Sequence, residues 1–303
     1  MSDRTGRIPN FFIVGAPRCG TSSMFYYLSE HPDIHMPPPA RKEPHHFCPD
    51  IEHRGAVRDA DAYRELFAEA GPARAVGEAS VFYLYSEQAP ELIHRHNPDA
   101  RIIILLRDPV DFMFSLHKLN TLVNGETENF EQALALEADR LEGRHLPEDR
   151  FITPSLHYRR LARFAPHVRR YQEAFGHDRV KVVFLEDMKA DIAGVYRQLL
   201  EFLDVDPEFR AHFAVYNASD TFNLRRTLRR FPRLHLLLVR AIPTKWRHRL
   251  GRMILPKSTG GARAEVPEDL RARLLAELAP ATSELADLTG RNLAHWGALA
   301  RTA

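Results

Sequence analysis

A short segment near the N-terminus carries residue types that bind anions. The apolar residues 11–14 lead into the segment GAPRCGTSS at 15–23, and helix-forming residues follow. A strand, a glycine-containing turn and a helix start predict a phosphate site, because the first N–H groups of a helix lack intrahelical acceptors and lie at its positive dipole end. The residues predicted to contact the anion are Arg18, Cys19, Gly20, Thr21, Ser22 and Ser23.

This loop differs from the G-x-x-x-x-G-K-[ST] loop of nucleoside triphosphatases. Thr21 occupies the lysine position, and the cation, Arg18, lies inside the loop. The loop has no evident metal ligand, which favours chemistry that requires no metal. Two alternatives remain open: a P-loop kinase that uses ATP and Mg²⁺, with Asp108 as a metal ligand, and a non-catalytic nucleotide-binding protein.

Two segments together resemble a known enzyme family. Residues 17–22, PRCGTS, resemble the 5′-phosphosulfate loop P-[KR]-x-G-T-[ST] of sulfotransferases that use 3′-phosphoadenosine-5′-phosphosulfate (PAPS). Residues 101–109, RIIILLRDP, with a serine eight positions after Arg107, are similar to the 3′-phosphate element of that family. The resemblance implies that Arg107 and Ser115 bind the 3′-phosphate, that adenosine 3′,5′-bisphosphate is a product, and that no metal is required.

The residue pattern of the second segment agrees with this resemblance. The apolar run 102–106 predicts a buried parallel strand, and Arg107 at its carboxyl end would reach the crevice where open α/β sheets bind ligands. Pro109 suits the first position of a helix. Ser115, about two turns further on, would then present its hydroxyl near Arg107.

A third segment is predicted to supply the acceptor chemistry. Residues 42–47, KEPHHF, resemble the K-E-x-H-[FH]-F stretch of carbohydrate sulfotransferases, the heparan-type enzymes included. The resemblance implies that Glu43 is the base of an in-line sulfuryl transfer and that Lys42 contacts the sulfuryl group. His45 and His46 are alternative bases, because imidazole also accepts protons near neutral pH. Glu78, near the end of a predicted strand, is a further carboxylate that could serve.

Composition and element order predict the fold class. The chain has 303 residues, of which 44% are hydrophobic and 27% charged, as in ordinary globular proteins. Alternating strand and helix patterns predict an α/β fold with a parallel sheet and helices on both faces. The resemblance implies a P-loop-like three-layer sandwich, in one sulfotransferase domain over 1–303. Beyond the motifs, we predict helices at 62–67, 88–93, 130–141, 158–175 and 190–203, and a strand at 180–185.

The segment at about 217–260 is strongly basic, whereas the whole chain has a formal net charge of only +2. We predict a basic helical insertion there. It could be a solvated insertion over the active site, or residues 225–252 could make a peripheral contact with an anionic membrane. Lys257 and Ser258 lie where the family has a glycine-bearing loop, and the resemblance implies that they contact the nucleotide.

Location and partners are predicted from more general features. Two cysteines give no disulfide framework, the N-terminal residues lack the apolar stretch of a signal peptide, and no apolar run of about twenty residues occurs. We therefore predict a cytoplasmic protein. A peripheral position at the inner face of the membrane is the alternative. The acceptor predicted by the resemblance is a hydroxyl, less favourably an amine, of a carbohydrate or lipid-linked molecule. No nucleic-acid partner is predicted, and the oligomeric state is not specified.

Overall fold

A parallel sheet lies at the centre of the computed structural model, which describes residues 8–214 and 265–297. The five strands run in the order β2-β3-β1-β4-β5, and every pairing is parallel. In chain order they are β1 (Phe11–Gly15), β2 (Ile34–His35), β3 (Ala75–Ala79), β4 (Arg101–Leu106) and β5 (Val180–Phe184). Every residue of β1 and β3 is buried, as expected for strands covered on both faces.

Helices connect these strands and cover the sheet. The first group consists of α1 (Thr21–Ser29), α2 (Ala60–Glu65), α3 (Ala89–His96), α4 (Pro109–Val123), α5 (Phe130–Ala135) and α6 (Glu137–Leu141). The second consists of α7 (Tyr158–Ala162), α8 (Phe164–Phe175), α9 (Leu185–Ala190), α10 (Ile192–Leu203), α11 (Glu268–Thr289) and α12 (Ala294–Gly297). The predicted three-layer α/β fold with a central parallel sheet is confirmed.

Two predicted long helices are each divided in the structure. The segment 130–141 forms α5 and α6, which meet at Leu136, and 158–175 forms α7 and α8, which meet at Arg163. Arg163 leaves the helical region, with φ −80° and ψ 75°. The spacing of apolar residues continues across both breaks, so the pattern alone cannot locate them.

The register of the sheet brings the predicted site residues to one edge. Phe12 of β1 pairs with Glu78 of β3, and Phe12 also pairs with Ile102 of β4. The segments that leave the carboxyl ends of these strands are therefore neighbours. Ligands of open α/β sheets bind at this edge.

Part of the predicted organisation falls outside the described residues. This concerns the basic segment 225–252 and the predicted nucleotide contacts Lys257 and Ser258. Within 8–214 and 265–297, no helix is long and apolar enough to cross a membrane. The predictions of a single domain, a cytoplasmic location and a membrane contact all remain predictions.

Candidate active site

The loop between β1 and α1 is shaped for an anion. Arg18 has φ 66° and Gly20 has φ 90°, both in the left-handed region, and Gly20 forms the N-cap of α1 without a side chain to cap the first N–H groups. A Cβ at Gly20 would lie 3.2 Å from both Leu185 Cδ1 and Met188 Cε, so neighbouring side chains also favour glycine there. The loop thus presents uncapped donors at the positive end of a helix.

The charged side chain of this loop is directed toward β4 and α4. Arg18 Nε donates to Ser115 Oγ at 3.0 Å, and Arg107 Nη1 donates to the carbonyl oxygen of Arg18 at 3.3 Å. Burial, and then the charge of Arg107, lower the pKa of Arg18. Two neighbouring guanidinium groups in a part-buried site favour a multiply charged anion. Cys19 is fully buried, and burial raises the pKa of its thiol.

Arg107 belongs to a chain of charges that starts on the last long helix. Arg107 Nη2 lies 3.3 Å from Asp111 Oδ2, while Arg271 of α11 contacts Asp111 Oδ1 at 2.8 Å and Asp108 Oδ2 at 2.9 Å. Asp108 is also the N-cap of α4, where its side chain accepts from the backbone N–H of Asp111 at 2.8 Å. Pro109 opens that helix, as predicted.

Lys42 connects the third predicted segment, residues 42–47, with the loop between β1 and α1. Lys42 Nζ is 3.4 Å from Ser22 Oγ and 2.5 Å from Glu43 Oε1. The Glu43 side chain is 33% exposed, and its other oxygen, Oε2, lies 3.5 Å from Nε2 of the fully buried His45. Burial opposes ionisation of Glu43, but Lys42 and His45 outweigh it and hold the pKa of Glu43 well below its usual range.

The buried carboxylate of Glu78 is linked to residues 42–47 by hydrogen bonds. Glu78 is completely buried and accepts hydrogen bonds from Ser80 Oγ at 2.5 Å, Tyr63 Oη at 2.5 Å and Tyr83 Oη at 3.2 Å. Ser80 Oγ in turn accepts from the backbone N–H of His45 at 2.9 Å, and Tyr83 Oη accepts from the N–H of Phe47 at 3.1 Å. Glu78 therefore fixes the backbone of residues 42–47 through two hydroxyl groups.

The two predicted histidines have different surroundings. His45 packs its ring against His53, with centroids 4.1 Å apart, and Arg58 Nη1 donates to the His45 carbonyl at 3.0 Å. His46 is half-buried, stacks on Tyr63 with centroids 4.2 Å apart, and its Nδ1 lies 2.8 Å from the carbonyl of Val57. The structure thus brings His45, but not His46, against Glu43.

Several residues around the site carried no signal in the sequence. No motif includes His53 or Arg58, and Arg271 is separated from its partners by about half of the chain. Asp111 lies within the second motif, between Arg107 and Ser115, but Arg107 precedes the first residue of α4, so helical spacing alone does not predict their contact. Among the described residues, no group of three or more His, Cys, Asp or Glu side chains could hold a metal ion.

Comparisons with known proteins agree with this geometry. Residues 9–220 match the family model described as a sulfotransferase domain. The crystal structure of a sulfotransferase from Alicyclobacillus acidocaldarius is similar to this chain, with 33% sequence identity, a TM-score of 0.73, and coverage of 96% of this chain and 99% of that chain.

Curated relatives match over a smaller part of their own length. Carbohydrate sulfotransferase 15 of Homo sapiens is 22% identical over 269 residues, which cover 72% of this chain and 48% of that protein. Bifunctional heparan sulfate N-deacetylase/N-sulfotransferase 4 of Mus musculus is 25% identical over 231 residues, covering 71% of this chain and 24% of that protein. The chain spans about half, or less, of the length of these two relatives.

Proposed function

Because this chain belongs to the sulfotransferase domain family, we propose that it transfers a sulfuryl group from PAPS to a hydroxyl of a carbohydrate or glycolipid-like acceptor, with Glu43 as the base. An amine acceptor is the less favoured variant. Family membership does not favour the kinase or the non-catalytic nucleotide-binding protein as alternatives.

The loop and the end of β4 suit the proposed donor. PAPS supplies an activated sulfuryl group on a bisphosphate leaving group. The uncapped N–H groups at the start of α1 and the guanidinium of Arg18 would bind its 5′-phosphosulfate, and Arg107 and Ser115 its 3′-phosphate. Arg107 Nε is buried and has no hydrogen-bond partner within the described part of the chain, so this guanidinium retains donor capacity. These neighbouring residues offer positive charge and hydrogen-bond donors to both anionic groups of the ligand.

The proposal that Glu43 is the base depends on the contacts of Lys42. Lys42 Nζ reaches Ser22 Oγ in the loop as well as the carboxylate of Glu43, so the carboxylate lies next to the place where the sulfuryl group would be held. Glu43 is also partly exposed, whereas His45 and Glu78 are fully buried. An acceptor hydroxyl could therefore reach Glu43 more readily than either buried group.

The side chains can be assigned roles that balance the reaction. Glu43 would take the hydroxyl proton as the new S–O bond forms and the bond from sulfur to the bridging oxygen breaks. Arg18, Lys42 and the loop N–H groups would stabilise the electron pair left on that oxygen. Arg18 would act by charge and hydrogen bonding alone, since arginine keeps its proton in proteins.

The carbohydrate part of the proposal is supported by the relatives. Their names describe a carbohydrate sulfotransferase and a heparan sulfate N-deacetylase/N-sulfotransferase. The identity of the sugar and the position sulfated would depend on the loops around the cleft, which differ more between relatives than the elements that carry them.

The first experiment compares nucleotides. We expect calorimetric titration to give clearly tighter binding for adenosine 3′,5′-bisphosphate without metal than for ADP, or for ATP with Mg²⁺. A preference for ATP with Mg²⁺ would refute PAPS as the donor and favour the kinase alternative.

The second experiment tests the base. Glu43→Gln should leave binding of the bisphosphate unchanged and lower kcat by about 10²- to 10⁴-fold with labelled PAPS and a carbohydrate acceptor. Glu65→Gln, an exposed substitution on α2, is the matched control and should retain full turnover. Normal turnover in Glu43→Gln would refute its role as base and move the assignment to His45, His46 or Glu78.

A further inference from the structure

Arg271 is a part-buried arginine far from both nucleotide motifs in sequence. It lies in the first turn of α11, and its side chain is only 17% exposed. Its two terminal nitrogens contact different carboxylates, Asp111 Oδ1 at 2.8 Å and Asp108 Oδ2 at 2.9 Å. Such charge-assisted pairs are directional and among the stronger hydrogen bonds of proteins.

The carboxylate of Asp111 is shared between two arginines. Its Oδ1 lies 2.8 Å from Arg271 Nη1, while its Oδ2 lies 3.3 Å from Arg107 Nη2. The shorter contact is the one to Arg271. Asp111 therefore orients Arg107 through a longer contact while its charge is chiefly compensated by Arg271.

We infer that Arg271 is a positioning residue for the 3′-phosphate of the nucleotide: it holds Asp108 and Asp111 so that Arg107 is oriented but not neutralised. This inference rests on the proposed function, since it assigns to Arg107 the 3′-phosphate of the donor. Arg271 itself acts through Arg107 and Asp111 rather than through the reacting atoms.

The charges of the four groups explain why Arg271 matters. The two arginines, Arg107 and Arg271, and the two ionised aspartates sum to zero charge, and they lie next to a third arginine, Arg18. Without Arg271 the group carries one net negative charge, and Asp111 is free to pair closely with Arg107. Both changes lower the positive potential that a phosphate would meet, and part-burial limits screening by solvent.

The same helix offers a matched control. Arg273 lies two residues further along α11 and pairs with Glu131 at 2.6 Å, but both side chains are well exposed, 63% and 65%. Exposed pairs of this kind contribute little to stability. Arg273→Gln therefore removes the same charge from the same helix without touching Asp108, Asp111 or Arg107.

The test measures discrimination for the 3′-phosphate. Adenosine 3′,5′-bisphosphate and adenosine 5′-phosphate are titrated into wild type, Arg271→Gln and Arg273→Gln, and thermal unfolding of each is recorded. In Arg271→Gln we expect the affinity for the bisphosphate to fall by about 10- to 100-fold, while the affinity for the monophosphate changes by less than about threefold. Arg273→Gln should keep the wild-type affinities for both.

A second substitution separates positioning from a general structural role. Adding Asp111→Asn to Arg271→Gln removes the carboxylate that would neutralise Arg107, so at least about tenfold of the lost bisphosphate affinity should return. If Arg271→Gln does not fold, Arg271→Lys replaces it. Lysine keeps the charge but cannot bridge two carboxylates with a planar fork, and an intermediate loss is expected.

The outcomes that refute the inference are distinct from those that refute the function. Equal losses for both nucleotides, no loss, or no recovery in the double variant would overturn the role of Arg271 while leaving the donor assignment intact. Failure of wild type to prefer the bisphosphate over the monophosphate would overturn the proposed function, and this inference with it.

Discussion

Glu78 makes a quantitative prediction about how stability depends on pH. Burial raises the pKa of this carboxyl from 4.5 to about 7, even though hydrogen bonds from Ser80, Tyr63 and Tyr83 favour the ionised form. A folded-state pKa above the unfolded value means that the folded protein binds more protons at this group between those two pH values. Its contribution to stability is thus fully present below about pH 4.5 and is lost as the pH rises through about 7.

The size of the effect follows from the two pKa values. A rise of this size corresponds to about 3 kcal/mol between the acid and alkaline limits, and most of that falls between pH 5 and pH 8. Glu78→Gln has nearly the same shape but cannot ionise. The difference in unfolding free energy between wild type and Glu78→Gln should therefore shift by roughly 2 to 3 kcal/mol, against wild type, as the pH goes from 5 to 8.

The assay is denaturant unfolding of both proteins at pH 5, 6, 7 and 8 at constant ionic strength. Taking the difference between the two proteins cancels the other titrating groups, provided that they are unaffected by the substitution. Glu65→Gln is an exposed control, and its unfolding free energy should change with pH in the same way as that of wild type. If the unfolding free energies of Glu78→Gln and wild type changed with pH in the same way, the raised pKa of Glu78 would be refuted.

Two further substitutions test the site and the sheet. Lys42→Met removes the ammonium that helps to keep the pKa of Glu43 low, so that pKa should rise and the acid limb of the pH–rate profile should move to higher pH. The exposed control Lys189→Met should keep the wild-type profile, and an unchanged profile in Lys42→Met would contradict the pairing. Gly77→Ala places a Cβ 2.0 Å from Phe11 Cζ, so we expect about 1–3 kcal/mol of destabilisation by overpacking, seen as a lower thermal midpoint. An unaltered midpoint would contradict the close packing of Phe11 on Gly77.

The sequence was most informative where chemistry depends on neighbouring residues. The loop after β1, the buried strand β4 and the helix that opens at Pro109 are all present with nearly the predicted bounds. Each depends on a local rule: apolar runs form buried strands, glycine permits left-handed backbone, and proline suits the first turn of a helix. The breaks at Leu136 and Arg163 were missed, because apolar spacing persists across them.

Tertiary structure determined how exposed each candidate group is and which contacts support it. From sequence, the possible bases were Glu43, His45, His46 and Glu78. The fold leaves Glu43 partly exposed and His46 half-buried, and it buries His45 and Glu78 completely. The contacts of Arg271 with Asp108 and Asp111 join residues 163 and 160 positions apart. Local patterns fix the type of an element and the chemistry its residues could perform, but burial, charge compensation and pKa depend on groups that only folding brings together.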